Sequence, residues 1–268
     1  MKKYLGLLKY EMKTFFKDPM SLFFLGYPFL MLLICGFLLP AILDKTASGN
    51  TSAQTVSLLI SFVVIISLGG YVMGVLLGFS FLDNKDENTL ISIAATPITV
   101  SGYTNFKVAY SFVLSTLSNL VMIGGLKLFS SDKYVVEYMG VSIRLLDNLS
   151  WVSIVLVSLV GSLMVPLVAL IVASTAKNKI EGFAFMKTGG LFVMLPLLAL
   201  LTAFSDWKQY ILGIMPNFWF TKPLLCEVLP FSDPSDLPFW AYLLIGTVYM
   251  LILAVLTHKV FMKKNNSR

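Results

Sequence analysis

The side chains that could carry out chemistry in this chain are few and far apart. It has a single histidine, His258, and two distant cysteines, Cys35 and Cys226, so it contains neither a His-Glu-x-x-His zinc motif nor a Cys-x-x-Cys pair. Gly78-Phe79-Ser80 is a weak match to the turn that presents a serine nucleophile, because the second glycine and a nearby base are missing. The phosphate-binding pattern GxxxxGK[ST] is also absent. We therefore expect no catalytic, metal or cofactor site in this chain.

The composition indicates a membrane protein. Only 13% of the 268 residues are charged and 57% are apolar, with a mean hydropathy of +0.84. Soluble domains carry about 25% charged residues, so this chain has too few charges to cover a soluble globule. A soluble enzyme, a disordered regulator and a nucleic-acid-binding protein are excluded on these grounds. We expect membrane lipid, and no nucleic acid, as its surroundings.

Six windows free of charged residues are long and apolar enough to cross a bilayer, which takes about 20 residues. These predicted spans lie near 20–42, 57–82, 108–126, 151–175, 188–204 and 238–258. A seventh window, 88–106, contains Pro97 and Gly102 and many polar residues, so it is not predicted to span. Because the six spans contain no Asp, Glu, Lys or Arg, a proton-coupled carrier has no relay. A sodium-coupled carrier stays open, since backbone carbonyls and hydroxyls of broken helices can hold sodium.

The basic residues predict the orientation. With six spans, both termini share one side with the loops 83–107 and 176–187, and that side holds fourteen of the twenty Lys and Arg residues. Basic residues concentrate in cytoplasmic loops, so we expect a multi-pass protein of the cell membrane with both termini in the cytoplasm. The net charge of +6 then reflects topology and requires no acidic partner.

Residues 1–18 differ from the spans because they are amphipathic. On a helical wheel the apolar and basic residues separate onto two faces, the first with Tyr4, Leu5, Leu8, Met12, Phe15 and Phe16, the second with Lys2, Lys9, Lys13 and Lys17. Such a helix lies in the headgroup plane, where it serves as an anchor or docks a partner. It ends at Asp18-Pro19, because a residue before proline disfavours the helical conformation. The rest, 19–268, is predicted to form one transmembrane domain.

Two further segments are predicted outside the spans. After the second span, Asn84 and Glu87 have the spacing of a capping box, which predicts a helix of about ten residues that is either a plain loop helix or a lever moved by a cytoplasmic subunit. Before the last span, the charge-free window 209–221 is too short to cross a bilayer and is rich in aromatic residues. It is either an interfacial aromatic anchor or a re-entrant segment.

In their order and spacing, these features resemble the ABC-2 type permeases, the membrane subunits of a class of ABC exporters. The resemblance rests on Phe15-Phe16-Lys17-Asp18-Pro19 before the first span, Pro28 within it, Glu87-Asn88-Thr89-Leu90 and Thr96-Pro97-Ile98-Thr99 after the second span. The segment Lys177-Asn178-Lys179-Ile180-Glu181-Gly182 is similar to one found in a branch that includes drug-export permeases. The resemblance covers essentially the whole chain and implies re-entrant helices before the last span.

The resemblance also implies partners and roles. It implies a homodimer, or a heterodimer with a second permease, bound to two copies of an ABC ATPase that binds ATP and Mg²⁺, while this chain is not an enzyme. The segment 83–95 would be the coupling helix that docks into the ATPase, and the implied coupling residues are Asp83, Asp86, Glu87, Asn88, Thr89, Leu90 and Pro97. Further ATPase contacts are expected at Lys9, Lys13, Lys17, Lys177, Lys179 and Glu181.

The expected function is ATP-driven export of an amphiphilic drug, antimicrobial peptide or lipid-like molecule by alternating access. Large apolar side chains on the second and fifth spans and on the outer segment are expected along the route, namely Tyr71, Met73, Phe192 and Trp219. A sodium-coupled carrier and a non-transporting membrane anchor of a signalling complex are the alternatives.

Overall fold

The computed structural model describes residues 16–46, 51–86, 100–138, 141–229 and 233–266, together with Gly6 and Lys13. Within these ranges, six helical segments are long and apolar enough to cross a bilayer. The strands among them form a single two-stranded hairpin. The prediction of an all-α membrane protein with six spans is therefore confirmed. Most of the predicted amphipathic helix at 1–18 lies outside the described residues.

The first half of the chain contains three spans and the strand hairpin. Their bounds are α1, built from Pro19–Leu33, a π-helical turn Ile34–Leu38 and Leu39–Thr46; α2, Thr51–Asp86; α3, built from Val100–Asn119, a π-helical turn Leu120–Gly124 and Gly125–Ser130; β1, Val135–Tyr138; and β2, Val141–Arg144. The two strands are antiparallel, with Val135 opposite Arg144.

The second half contains three more spans and a pair of short helices. Their bounds are α4, built from Trp151–Ser162 and Met164–Thr175; α5, Lys179–Val193, continued by the 3₁₀ helix Leu195–Leu200; the 3₁₀ helices Thr202–Phe204 and Asp206–Ile214; α6, Phe218–Val228; and α7, Phe239–Asn266.

The bundle has two distinguishable ends. At one, called the basic end below, α2, α4 and α7 end while α1, α3 and α5 begin, and the ring of Phe81 lies 5.7 Å from that of Phe261. At the other, called the hairpin end, β1 and β2 follow α3. The start of α1 is defined by Asp18, whose carboxylate accepts hydrogen bonds from the backbone and side chain of Ser21 (3.1 and 2.6 Å). An acidic N-cap followed by proline is a strong helix start.

Three helices begin earlier than predicted: α2 starts at Thr51 instead of 57, and the other two continue past charged residues. α3 starts at Val100 instead of 108, which adds Lys107, and α5 starts at Lys179 instead of 188, which adds Lys179, Glu181 and Lys187. The expectation that the spans hold no charged residue is wrong for this reason. A helix need not stop at a lysine near its end, because the long side chain can reach the headgroup region or a polar partner.

α2 and α4 pack closely against each other. Gly70, Gly74 and Gly78 recur every four residues on one face of α2, and a Cβ on Gly74 would lie 2.7 Å from the Cβ of Val168. At Gly70 the corresponding atom would lie 2.4 Å from the backbone oxygen of Gly161. Small residues at this spacing let membrane helices approach closely. Gly78, the first residue of the weak serine-nucleophile match, therefore has a packing role.

At the hairpin end, side chains from the chain after α3 hold α1 and α2 together. The buried Tyr134 donates a hydrogen bond to the carbonyl of Cys35 (2.8 Å) and lies 2.8 Å from Ser61 Oγ. Ser130 donates to the carbonyl of Gly36 (2.8 Å). Both carbonyls belong to the π-helical turn of α1, where the regular hydrogen-bond ladder is shifted and carbonyls are open to such partners.

Before α7 the chain enters the bundle and leaves again at the same end. The first arm is the 3₁₀ helix Asp206–Ile214, and the carbonyl of Ile214 accepts a hydrogen bond from Tyr249 (2.9 Å). Tyr249 lies ten residues into α7, which corresponds to a depth of about 15 Å. The second arm, α6, returns to the hairpin end, where Glu227 accepts a hydrogen bond from the backbone of Ser150 (3.1 Å). The predicted re-entrant segment is thus present as a pair of short helices.

Candidate coupling end and transport route

The last turns of α2 organise the basic end. Asp83 forms an ion pair with Lys179 at the start of α5, with 2.6 Å between Oδ1 and Nζ and both side chains 37% exposed. Asn84 is buried, and its Nδ2 donates a hydrogen bond to the Oη of Tyr103 in the first turn of α3 (3.1 Å). α2 is therefore fastened at this end to the starts of α3 and α5.

Asn84 does not cap a new helix, contrary to the prediction from its spacing to Glu87. It lies inside α2, which continues to Asp86, and its side chain is used by Tyr103. Extending an existing helix adds one hydrogen bond per residue, whereas starting another requires a costly nucleus. The other predicted coupling residues, Glu87, Asn88, Thr89, Leu90 and Pro97, lie outside the described residues, and their role stays a prediction.

Lys107 is a buried cation at the basic end that sequence reasoning placed outside the spans. Only 1% of it is exposed, its Nζ donates to Ser80 Oγ (2.7 Å), and the same atom lies 4.9 Å from the ring centroid of Tyr103. A hydroxyl acceptor and an aromatic face both offset the cost of burying an ammonium group. Ser80 is thus an acceptor within α2. The sequence signal was the four-residue spacing of Tyr103 and Lys107, which places both on one helix face.

The turn before α5 is closed by its own side chains. Asn178 Oδ1 accepts a hydrogen bond from the backbone of Glu181 (2.9 Å), and Glu181 Oε2 accepts one from the backbone of Lys177 (2.8 Å). This cap fixes where α5 starts, and so positions Lys179 opposite Asp83. Among the residues predicted to contact an ATPase, Lys177 and Glu181 are exposed at this end.

The predicted contact residues near the N-terminus are only partly described. Lys13 and Lys17 are exposed. Lys9 lies outside the described residues, so the amphipathic pattern of the segment stays a prediction. Lys17 directly precedes the Asp18 cap, which places it at the basic end with the turn before α5.

Two of the four predicted route residues are at α5: Tyr71 contacts this helix from α2, and Phe192 is part of it. Tyr71 is 6% exposed and donates a hydrogen bond to the carbonyl of Met186 (2.6 Å). It lines a cavity of about 180 Å³ between α2, α4 and α5. Phe192 is 53% exposed and lines an adjoining groove of about 480 Å³. Phe185 and Gly189 line both the cavity and the groove. Tyr71 and Phe192 therefore border one continuous face of α5.

The other two predicted route residues are not part of this face. Met73 is 3% exposed and belongs to the core. Two residues along a helix correspond to a rotation of about 200°, so Met73 and Tyr71 point to different sides of α2. Trp219 lies in the re-entrant pair, where its Nε1 donates to the carbonyl of Gly213 (2.8 Å) and Gly246 of α7 packs against it. It joins the two arms of the pair to α7.

A buried ion pair secures the re-entrant helices. Lys222 of α6 lies 2.9 Å from Asp236, with side chains 13% and 8% exposed. Burial raises the pKa of Asp236, but the hydrogen bond and the charge of Lys222 bring the pKa below its usual value. Gln209 of the first arm donates to Ser235 (2.9 Å) in the same loop. The loop before α7 therefore holds both arms of the pair.

The described part of the chain contains no group of three or more His, Cys, Asp or Glu residues able to hold a metal ion. The polar contacts at the basic end join helices to one another, and the largest exposed side chains on α5 are apolar. This arrangement suits transmission of movement and contact with an apolar molecule.

Known proteins similar to this chain are membrane permeases. The family model described as fluoroquinolones export permease protein Rv2686c-like matches residues 11–258. The chain is 26% identical over 209 residues to the fluoroquinolones export permease protein Rv2686c of Mycobacterium tuberculosis strain ATCC 25618 / H37Rv, covering 78% of this chain and 72% of the relative. The fluoroquinolones export permease protein MT2760 of strain CDC 1551 / Oshkosh matches with the same identity and coverage.

The match extends from within the amphipathic pattern to His258 in α7, so it includes the first five spans, the re-entrant pair and most of the sixth span. The predicted resemblance to the drug-export branch of the ABC-2 type permeases is confirmed. The chain is a multi-pass membrane protein and belongs to the Rv2686c-like family of fluoroquinolones export permease proteins.

Proposed function

We propose that this chain is the membrane subunit of an ATP-driven exporter of amphiphilic drugs, with fluoroquinolones as the first compounds to test. The observation that carries the proposal is the family match over residues 11–258. The substrate class follows from the name of the relatives at 26% identity and from the apolar face of α5. Fluoroquinolones are flat, aromatic and bear a carboxylate, so their rings suit a surface lined by Phe185 and Phe192.

The energy would come from another polypeptide. The sequence lacks the phosphate-binding GxxxxGK[ST] pattern, so ATP and Mg²⁺ would be bound by a separate ABC ATPase present in two copies. Two permease subunits, identical or different, would pair above it. The basic end would face the cytoplasm with both termini, because fourteen of the twenty Lys and Arg residues belong to that side.

Movement would enter the bundle through the segment after α2. Asp83 and Asn84, one turn from the end of that helix, are joined to Lys179 of α5 and Tyr103 of α3. A displacement of the segment 83–95 by the ATPase would therefore move the starts of α3 and α5 together with α2. The close α2–α4 packing around Gly74 makes those two helices a single rigid unit against which the others move.

The substrate would pass along α5. This helix is largely exposed outside its contacts with α2 and α4, and its outward side carries Phe185, Leu191 and Phe192. In a dimer, the same face on two subunits would enclose an apolar route. The re-entrant pair would close that route at the hairpin end, held by Lys222 and Asp236.

Drug accumulation in cells tests the proposal. Cells without their own drug pumps would express the chain with a candidate ABC ATPase, and the intrinsic fluorescence of norfloxacin would report its internal concentration. We expect lower accumulation than in cells expressing the ATPase alone. We also expect Glu87→Lys, at the sequence-predicted coupling segment, to restore accumulation while the chain still reaches the membrane. Equal norfloxacin accumulation with and without the chain would contradict the proposal for this substrate.

A further inference from the structure

A groove on the side of the bundle formed by α3, α4 and α7 is separate from the proposed route. Its volume is about 640 Å³, and it shares no lining residue with the two spaces beside α5. Its walls are mostly apolar, with Val113 of α3, Leu170 of α4 and Leu251 of α7 among them. The groove therefore opens where hydrocarbon chains of the bilayer would lie.

The groove becomes polar at the basic end. There it is lined by Asn105 of α3 and by His258 and Lys259 of α7, and Asn105 and Lys259 are exposed. From Asn105 to Val113 is eight residues, or about 12 Å along the helix. The polar part thus lies at the depth of lipid headgroups and the apolar part continues toward the middle of the membrane.

The charge of this polar part favours an anion. No acidic side chain lines the groove among the described residues, whereas Lys259 contributes an ammonium group. His258 adds a second donor or acceptor, because its Nε2 is buried and has no hydrogen-bond partner within the part of the chain that the structure describes. Asn105 supplies an amide beside them. An anionic group at this place would meet one cation and two further polar groups.

We propose that the groove is a binding site for an anionic phospholipid of the leaflet at the basic end. Its phosphate would lie between Lys259, His258 and Asn105, and one acyl chain would follow Val113 and Leu251. Basic pockets between membrane helices bind anionic headgroups in this manner. A protein partner would not require an apolar channel that begins at a lysine, and the transported drug would use the face of α5. The site is independent of whether the chain exports fluoroquinolones.

Native mass spectrometry of the full-length protein in detergent tests the site. Phosphatidylglycerol and phosphatidylcholine with identical acyl chains would be titrated, and the first bound lipid counted on monomer and dimer. We expect phosphatidylglycerol to bind more tightly than phosphatidylcholine. Lys259→Gln should weaken phosphatidylglycerol about fivefold, the effect of about one basic residue near an anionic headgroup, and Lys259→Arg should keep it. Lys187→Gln, which removes an exposed lysine of α5, is the matched control and should have no effect.

A second variant tests the apolar part without changing charge. Ala109 is exposed and lines the groove, so Ala109→Phe should reduce binding of both lipids while the protein keeps its thermal stability. Equal affinity for the two lipids, or equal loss in Lys259→Gln and Lys187→Gln, would overturn the proposal. Lipid bound to the monomer and absent from the dimer would show that a second copy covers the groove. Displacement by norfloxacin at equal concentration would assign the groove to the drug instead.

Discussion

Reversing the charges of Asp83 and Lys179 tests whether the end of α2 and the start of α5 move as one. The two side chains are 2.6 Å apart and each is about one-third exposed, at 37%. Exposed pairs contribute about 0.2–1 kcal/mol, and partial burial favours the upper end of that range. Because Asp83→Lys or Lys179→Asp replaces attraction by repulsion of similar size, we expect each single change to cost about 1–2 kcal/mol at this contact.

A cost of this size should not unfold the protein, but it is large enough to change the equilibrium between two conformations of the transporter. About 1.4 kcal/mol changes an equilibrium tenfold, so we expect each single variant to export drug several-fold more slowly. The fold should persist, since α2 also packs on α4 through Gly70, Gly74 and Gly78. The double variant, with Lys at 83 and Asp at 179, restores opposite charges and should recover most of the rate.

The assay is the rate of norfloxacin efflux from loaded cells, with membrane abundance measured in parallel. Lys179 and Lys187 lie on the same helix, but Lys187 has no ion pair among the described residues, so Lys187→Asp is the control for a changed charge on α5. If the single reversals export as fast as the parent, or if the double variant is as slow as the singles, the ion pair does not transmit movement.

Two further predictions concern the helices that frame the route. Gly74→Ala should lower the thermal unfolding midpoint, because its Cβ would lie 2.7 Å from that of Val168 and overpacking costs about 1–3 kcal/mol, only partly offset by about 1 kcal/mol of helix propensity. Gly26→Ala, with no atom within 4 Å of the new Cβ, should be neutral or stabilising, and equal midpoints for the two variants would contradict the packing. Asp236→Asn should destabilise the protein at neutral pH by leaving the ammonium group of Lys222 without its partner. Because the pKa of Asp236 is lower when folded, its contribution is complete above the unfolded pKa of about 3.9 and is lost as pH falls through the folded pKa. The stability difference between parent and variant should therefore shrink in acid, and a constant difference down to pH 3 would argue against the ion pair.

The number of spans was predictable from the sequence, but the starting points of α2, α3 and α5 were not. Charge-free windows locate the apolar middle of a helix correctly, as the agreement for α4 shows at both of its ends. They fail where a helix continues past a charged residue. Lys107 is accepted inside α3 because Ser80 and Tyr103 surround its ammonium group, and those contacts depend on the packing of α2 against α3.

Capping patterns in the sequence also failed to predict one helix start. The chain contains Asn-x-x-Glu twice, at Asn84 with Glu87 and at Asn178 with Glu181. The second caps α5, whereas the first asparagine lies within α2 and bonds to Tyr103. The difference is what precedes each asparagine: an apolar helix already in progress before Asn84, and a polar turn after α4 before Asn178. The spacing of Asn and Glu indicates a possible cap. Whether a helix starts there depends on the structure of the residues that come before it.

The proposed route was only partly accessible to sequence reasoning. The large apolar residues of α5 could be recognised as candidates, and Phe192 among them is exposed. The direction in which Met73 points could not be deduced, because α2 is apolar on all sides and its contacts with four other spans bury most of it. The face of such a helix that meets a route is set by its neighbours.

The central claim is that this chain exports an amphiphilic drug with energy from ATP hydrolysed by a partner. Uptake of norfloxacin into inside-out membrane vesicles tests it most directly, with the chain and its ATPase together, each alone, and with a sodium gradient in place of ATP. We predict uptake only when both proteins and ATP are present. Uptake by the chain alone that follows the sodium gradient would contradict the claim and identify a sodium-coupled carrier instead.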